Sequence, residues 1–342
     1  MISRIRVSHR LLLSCAALFS LSASLLAEEP PPAQETPKSP PYDAAMARRW
    51  LESLAQPHGW PMTYKEDGDL VLAGTCDAKI LEDGYKISRQ AMDKATALLK
   101  TDAKDLQSES KIFLLYFSNK PEYMAYAQDK ANATRNEGVI KLMDTVPAVD
   151  TVFCLDPSYQ VSDPKRRHFT VHNLSHAMIS NYAAHHGETP IPGWIFEGFA
   201  SWLESSILAC PGISCVGKVG YDDQYQKRLI NDSWDRVVFQ VVKDTQSSKT
   251  DPKTGRPVYT RLGNLMGVKF ETLTPTDVAV SWALVTDLTK KPKEFKAFLD
   301  AVLAGTKQAD AFKAAFKKSV DDYEKDWMKR LLDNPPETPK KK

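Results

Sequence analysis

Apolar and polar positions change period several times along the 342-residue chain, and each change marks a predicted element. Leu11 to Leu26 is an apolar run behind Arg4, Arg6 and Arg10, too short for a full membrane span. It reads as a secretory signal over residues 1–27 with cleavage after Ala27. Residues 28–41 (EEPPPAQETPKSPP) form a Pro-rich polar linker. A helical period returns over Tyr42–Ala55, with Met46, Ala47, Trp50, Leu51 and Leu54 on one face. Pro61–Gly74 reads as two short strands around the turn residues Asp67, Gly68 and Asp69. Tyr85–Lys100 is predicted as an amphipathic helix carrying Ile87, Ala91, Ala95 and Leu98 in register. Lys111–Ser118 (KIFLLYFS) is a buried strand, Pro121–Gln128 a short helix, and Thr151–Leu155 a further strand.

A run of helical period then spans Phe169, Val171, Leu174, Met178, Ile179 and Tyr182, and a second apolar run follows Pro190 and Pro192. Beyond Glu204 the pattern is mostly helical: Gln224–Lys243, Asp277–Leu288, Lys293–Ala304, Asp310–Lys318 and Val320–Leu332. The Pro- and Lys-rich end, 333–342, is predicted as a disordered tail. Periodicity alone therefore predicts a mixed α/β part followed by an α part, with no internal repeat.

Composition adds compartment and excludes some partners. Signal removal takes Arg4, Arg6 and Arg10 away, so lysine plus arginine falls from 45 to 42 against 43 acidic residues. A chain so close to neutral gives no electrostatic reason to bind nucleic acid or a membrane surface. No segment after the signal is apolar enough to span a bilayer. The expected location is secreted or periplasmic. Of the five cysteines, Cys15 lies in the signal with hardly any apolar run before it, which disfavours a lipid anchor. The remaining Cys76, Cys154, Cys210 and Cys215 are even in number, which in an exported chain favours disulfides. Cys210 and Cys215, flanking Pro211 and Gly212, suit a small closed loop, leaving Cys76 to pair with Cys154. The alternative, a metal site built on C-x4-C, has no second half in the chain.

The candidate chemistry lies between His168 and Glu204 (HFTVHNLSHAMISNYAAHHGETPIPGWIFEGFASWLE). His172 and His176 are four apart in a helical period, so their imidazoles share one face a turn apart and one ion can take both. The second run offers Glu197. Two nitrogens, one carboxylate and a fourth position left to water form the donor set of a catalytic zinc. The alternative is two imidazoles on a partly exposed helix face that bind nothing.

These residues resemble the gluzincin metallopeptidases, most closely the peptidase-MA-like group, in which an H-E-x-x-H helix is followed by a segment of the form P-x-W-x-x-E-G-x-A. Here Pro192, Trp194, Glu197, Gly198 and Ala200 stand in the second segment. The resemblance is strong in this stretch and weaker over the rest of residues 60–332. It implies an α+β, zincin-like fold: a small mixed-sheet lobe with the metal-binding helix (42–187), then a mostly helical lobe (188–332). It further implies zinc held by His172, His176 and Glu197, and an edge strand that holds an extended polypeptide.

The first segment departs from the group at Asn173, which stands where the general-base glutamate is expected. An amide holds water by hydrogen bonds but takes up no proton at neutral pH. Loss of general acid–base help costs roughly 100- to 10,000-fold in rate. Glu204, seven after Glu197, falls on the same helix face and reads as a solvated carboxylate or a supporting partner. His168, four before His172, could share the metal face if the helix begins early, but following Arg166 and Arg167 it reads first as an exposed residue at the helix start. His185 and His186 read as surface residues past its end. The group commonly adds a downstream tyrosine or histidine for the oxyanion, and a tyrosine usually opens the helix that here begins near Asp277. No histidine follows His186, and no tyrosine lies between Glu271 and Leu288. Tyr221, Tyr225 and Tyr259 remain without distinguishing spacing. Asn132, Asn173 and Asn231 each begin an N-x-S/T triplet, of which Asn173 falls inside the predicted helix.

The resulting expectation is an exported zinc-binding protein with a degenerate general base. It would be weakly active or inactive as a peptidase and able to hold a polypeptide. Two alternatives stand beside it: an active zinc hydrolase using another base, and a metal-free structural or interaction protein.

Overall fold

The computed structural model describes residues 52, 55–67, 70–106, 112–119, 121–126, 128, 148–149, 152–155, 163–187, 189–211, 233–246 and 259–336. The expected signal, the linker, nearly all of the Tyr42–Ala55 helix, residues 224–232 of the Gln224–Lys243 helix and the last six residues of the tail lie outside them. So do Cys215, Tyr221, Tyr225, Asn132 and Asn231.

The strands are short, from two to five residues. β1 (Thr63–Asp67) and β2 (Leu70–Gly74) pair antiparallel across the predicted turn, Asp67 opposite Leu70. β2, whose five residues are all buried, runs parallel to β3 (Ile112–Tyr116), with Leu72 opposite Leu114. β4 (Ala148–Val149) and β5 (Val152–Leu155) complete a mixed sheet of order β1-β2-β3-β5-β4. A near-continuous apolar strand such as LVLAG is what a sheet covered on both faces requires.

Between β2 and β3 lies helix α1, Ala78–Leu99, seven residues longer at its start than periodicity predicted. Its start is set by Asp77, whose side chain accepts from the Lys79 amide at 2.7 Å. Leu81, Ala91, Met92, Ala95 and Leu98 turn inward.

Helix α2, Asp163–His186, is the axis of the molecule. Every residue from Phe169 to Ile179 is buried, the signature of a helix packed on all sides. Its first turns are pinned to the sheet layer: Arg166 and Arg167 both bond Asp83 of α1, and the Thr170 hydroxyl meets the Tyr116 hydroxyl of β3 at 3.0 Å. The two arginines hold the Asp83 carboxyl below its ordinary range, against burial that would raise it. α2 ends one residue before Gly187, so His185 and His186 occupy its last turn rather than lying beyond it. Both are exposed, with His186 stacked on Tyr182.

After α2 the chain is helical. α3 spans Gly193–Leu208, α4 Trp234–Gln246 and the short α5 Leu262–Leu265. They are followed by α6 (Pro275–Leu288), α7 (Pro292–Leu303), α8 (Gln308–Phe316) and α9 (Val320–Asp333). Pro275 at the first turn and a reciprocal Thr274–Asp277 capping pair set the start of α6. One hydrophobic core runs without interruption from Leu70 in the sheet to Trp327 in α9. The architecture is α+β: a small mixed sheet, then helices, as the pattern predicted.

No disulfide is formed among the described residues, and Cys215 lies outside them. Cys76 and Cys210 are free thiols. Cys154 lies on β5 and Cys76 just past β2, with β3 between those strands. Two strand spacings of about 4.8 Å already exceed the roughly 7 Å Cα reach of a disulfide. Burial instead pushes the Cys76 thiol up to about 12, which leaves it a small apolar core residue. No helix among the described residues is long and apolar enough to cross a membrane.

Candidate metal centre

His172 and His176 are four apart on α2, and Glu197 lies one turn into α3, which crosses α2 along its buried face. The two imidazoles sit edge to face, 4.7 Å between centroids. Nε2 of His172 lies 3.8 Å from Glu197 Oε2, and Nε2 of His176 lies 3.5 Å from Glu197 Oε1. One donor atom from each residue falls within 4.8 Å of the other two, the only such cluster among the described residues. The side chains are 0%, 1% and 0% exposed. Buried imidazoles and a buried carboxylate converging on one point have a physical explanation if an ion belongs there.

The donor set can be tested against zinc. Ligands at about 2.0–2.2 Å in tetrahedral disposition lie about 3.3–3.6 Å from one another. The two nitrogen–oxygen separations, 3.8 Å to Oε2 and 3.5 Å to Oε1, are near this range, each imidazole facing its own oxygen of Glu197. The tautomer also fits. Nδ1 of His172 faces Glu204 Oε2 at 3.2 Å, so Nδ1 donates its proton there and the lone pair is on Nε2, facing Glu197. The residues present fit a zinc ion.

Local sequence explains why α3 delivers Glu197 here. Pro190 and Pro192 end the preceding loop, and Pro192 caps α3 with extended backbone. Trp194, wholly buried, donates from Nε1 to Gln308 Oε1 at 2.8 Å and locks the first turn to α8. Gly198 lets α3 lie against α6. A Cβ there would stand 2.7 Å from the Ser281 carbonyl oxygen and 2.7 Å from Val285 Cγ2. Gly198→Ala therefore sets an overpacking cost of about 1–3 kcal/mol against a helix-propensity gain of about 1 kcal/mol. Since a backbone carbonyl cannot swing aside as a rotamer can, the clash wins. We expect a net loss of about 1–2 kcal/mol, read as a lower denaturation midpoint; an unchanged midpoint would contradict the packing.

Asn173 is wholly buried on α2, about 100° round the helix from His172 and 60° from His176. Its Nδ2 donates to the Phe169 carbonyl at 2.9 Å, and its Oδ1 is buried without a hydrogen-bond partner. The amide is thus turned back along its own helix.

Glu204 and His168 differ from their expected exposure. Glu204 is 0% exposed and bridges two imidazoles, taking His172 Nδ1 on Oε2 and His168 Nδ1 on Oε1 at 2.5 Å. His168 lies six residues into α2 and is 14% exposed rather than solvated at its start. α2 begins early, at Asp163, which is the condition under which His168 joins the buried face instead of standing at the helix start. Glu204 stands on the far side of His172 from Glu197, so it faces away from the point where the donors converge and cannot serve as a base there.

Electrostatics separate the two imidazoles. Burial lowers both. On His172, the Glu204 hydrogen bond and the Glu197 charge overcome it and raise the imidazole above its ordinary value. On His176, burial and the neighbouring His172 outweigh the Glu197 hydrogen bond and the charges of Glu197 and Glu204, so its value is lowered. Phe196 stacks on His176 at 3.9 Å between centroids, and Phe270 meets Phe196 edge-on at 5.5 Å.

Tyr259 is taken by another role. Its hydroxyl donates to the buried Glu324 at 2.6 Å, and the same carboxylate oxygen accepts the Leu262 amide at 2.9 Å. No protein-family model, curated protein or solved structure matches the chain.

Proposed function

We propose that this chain is an exported, gluzincin-like protein that binds zinc through His172, His176 and Glu197 and has little or no peptidase activity. The observation that carries this reading is the convergence of three buried donor atoms from α2 and α3 within 4.8 Å. Zinc in such a set acts as a Lewis acid and lowers the pKa of a bound water to about 7. The chain's own residues supply the binding half of that chemistry. His172 and His176 present their Nε2 atoms, Glu197 presents a carboxylate, and Glu204 holds His172 by its Nδ1.

Among the described residues none is placed to supply the proton-transfer half. Asn173 accepts no proton, and its amide is bonded to the Phe169 carbonyl. Glu204 and His168 lie behind His172. With roughly 10²–10⁴ in rate absent, an extended polypeptide would be held without efficient cleavage. The test is a broad peptide library incubated with purified protein, with and without chelator. The reading expects no chelator-sensitive turnover, and clear chelator-sensitive cleavage would overturn it in favour of an active hydrolase with another base.

A further inference from the structure

His168 lies one helical turn before His172 on the same face of α2, and the two imidazoles reach a single carboxylate. Glu204 is fully buried, and each of its oxygens faces one Nδ1: Oε1 that of His168, Oε2 that of His172. A carboxylate side chain turns freely about its terminal bond unless both oxygens are held. The bond at 2.5 Å to His168 therefore fixes the plane in which the other oxygen meets His172. The His172 ring is in turn fixed in orientation, with Nδ1 on Glu204 and Nε2 toward Glu197.

We propose that His168, which touches none of the converging donors, is a positioning residue of the metal centre. It acts through Glu204 to hold His172 in the rotamer and tautomer that bind zinc. The inference rests on the zinc reading above. It adds a layer to a site that has only three protein donors, in which one loose imidazole would forfeit a third of the donor set. An aligned carboxylate behind a ligating histidine also raises the donor strength of its free nitrogen. His168 thereby contributes to affinity through Glu204.

The experiment measures zinc affinity by competition with a chromophoric chelator for wild type, His168→Ala and His168→Asn. Visible spectra of the cobalt-loaded proteins and melting of the chelator-treated proteins are recorded alongside. His168→Ala is expected to weaken zinc binding about 10- to 100-fold, the usual effect of losing a partner behind a ligand, and to shift the cobalt bands. His168→Asn places an amide nitrogen where Nδ1 stood and is expected to restore both. Wild-type affinity and spectrum in His168→Ala would overturn the inference while leaving the zinc site intact. Equal weakening in both variants, with equal loss of metal-free melting temperature, would also overturn it and assign His168 to packing alone. A wild-type protein that takes up no zinc would overturn the reading of the site itself, and this inference with it.

Discussion

Asn173→Glu is expected to create chelator-sensitive peptide hydrolysis, or raise any trace of it by about 10²–10⁴. The argument begins at the amide. Asn173 Nδ2 donates to the Phe169 carbonyl, and a carboxylate has no proton to donate there. A glutamate at 173 must leave that carbonyl. Its additional methylene carries the carboxylate outward from a position flanking the His172–His176 face. Its charge cannot stay buried unpaired, and a zinc held by His172, His176 and Glu197 would offer it a compensating positive charge. The same substitution should make the fold more dependent on zinc, since it adds a buried carboxylate near Glu197. A larger drop in melting temperature on chelation than wild type shows would report this. An Asn173→Glu protein that binds zinc and cleaves nothing would mean that the amide at 173 is not what keeps the site from hydrolysis.

The second large effect concerns the ligands. Structural zinc sites contribute about 10–16 kcal/mol of binding free energy, which over three protein donors is roughly 3–5 kcal/mol each. At about 1.4 kcal/mol per decade, His176→Ala should weaken zinc about 10²- to 10⁴-fold. Glu197→Ala should act alike, because α2 and α3 each supply part of the set. Since the ion would tie these helices together, chelator should lower the melting temperature of wild type and leave that of His176→Ala nearly unchanged. Equal zinc affinity in the two proteins would remove His176 from the site.

Much of the fold was legible because its signals are local. The β1–β2 hairpin followed from Asp67, Gly68 and Asp69 between apolar runs, and α6 to α9 followed from 3.6-residue period. The donor set was legible for the same reason: His172 and His176 are a turn apart, and Glu197 stands in a fixed frame with Trp194 and Gly198.

What the sequence concealed depends on elements far apart in the chain. The start of α1 was hidden by Glu82, Asp83 and Gly84, which interrupt the apolar period. Asp83 serves the arginines of α2, and Gly84 makes room for the Tyr116 hydroxyl, which a Cβ would approach to 2.4 Å. The His168–Glu204–His172 bridge spans 36 residues and requires the relative alignment of α2 and α3, which no spacing encodes. The signal available was the coincidence of two histidines and a glutamate at helical spacing in otherwise apolar helices. Cysteine parity misled because an even count says nothing about which strands lie between the thiols, and β3 separates Cys76 from Cys154.

The most direct test of the central claim is the zinc content of the wild-type chain, purified without chelator and measured by elemental analysis. The account predicts about one zinc per chain, from the three converging donors of His172, His176 and Glu197. A chain that carries none, and takes up none when zinc is added, would contradict it and leave a buried His172–His176–Glu197 cluster that serves packing or partner binding alone.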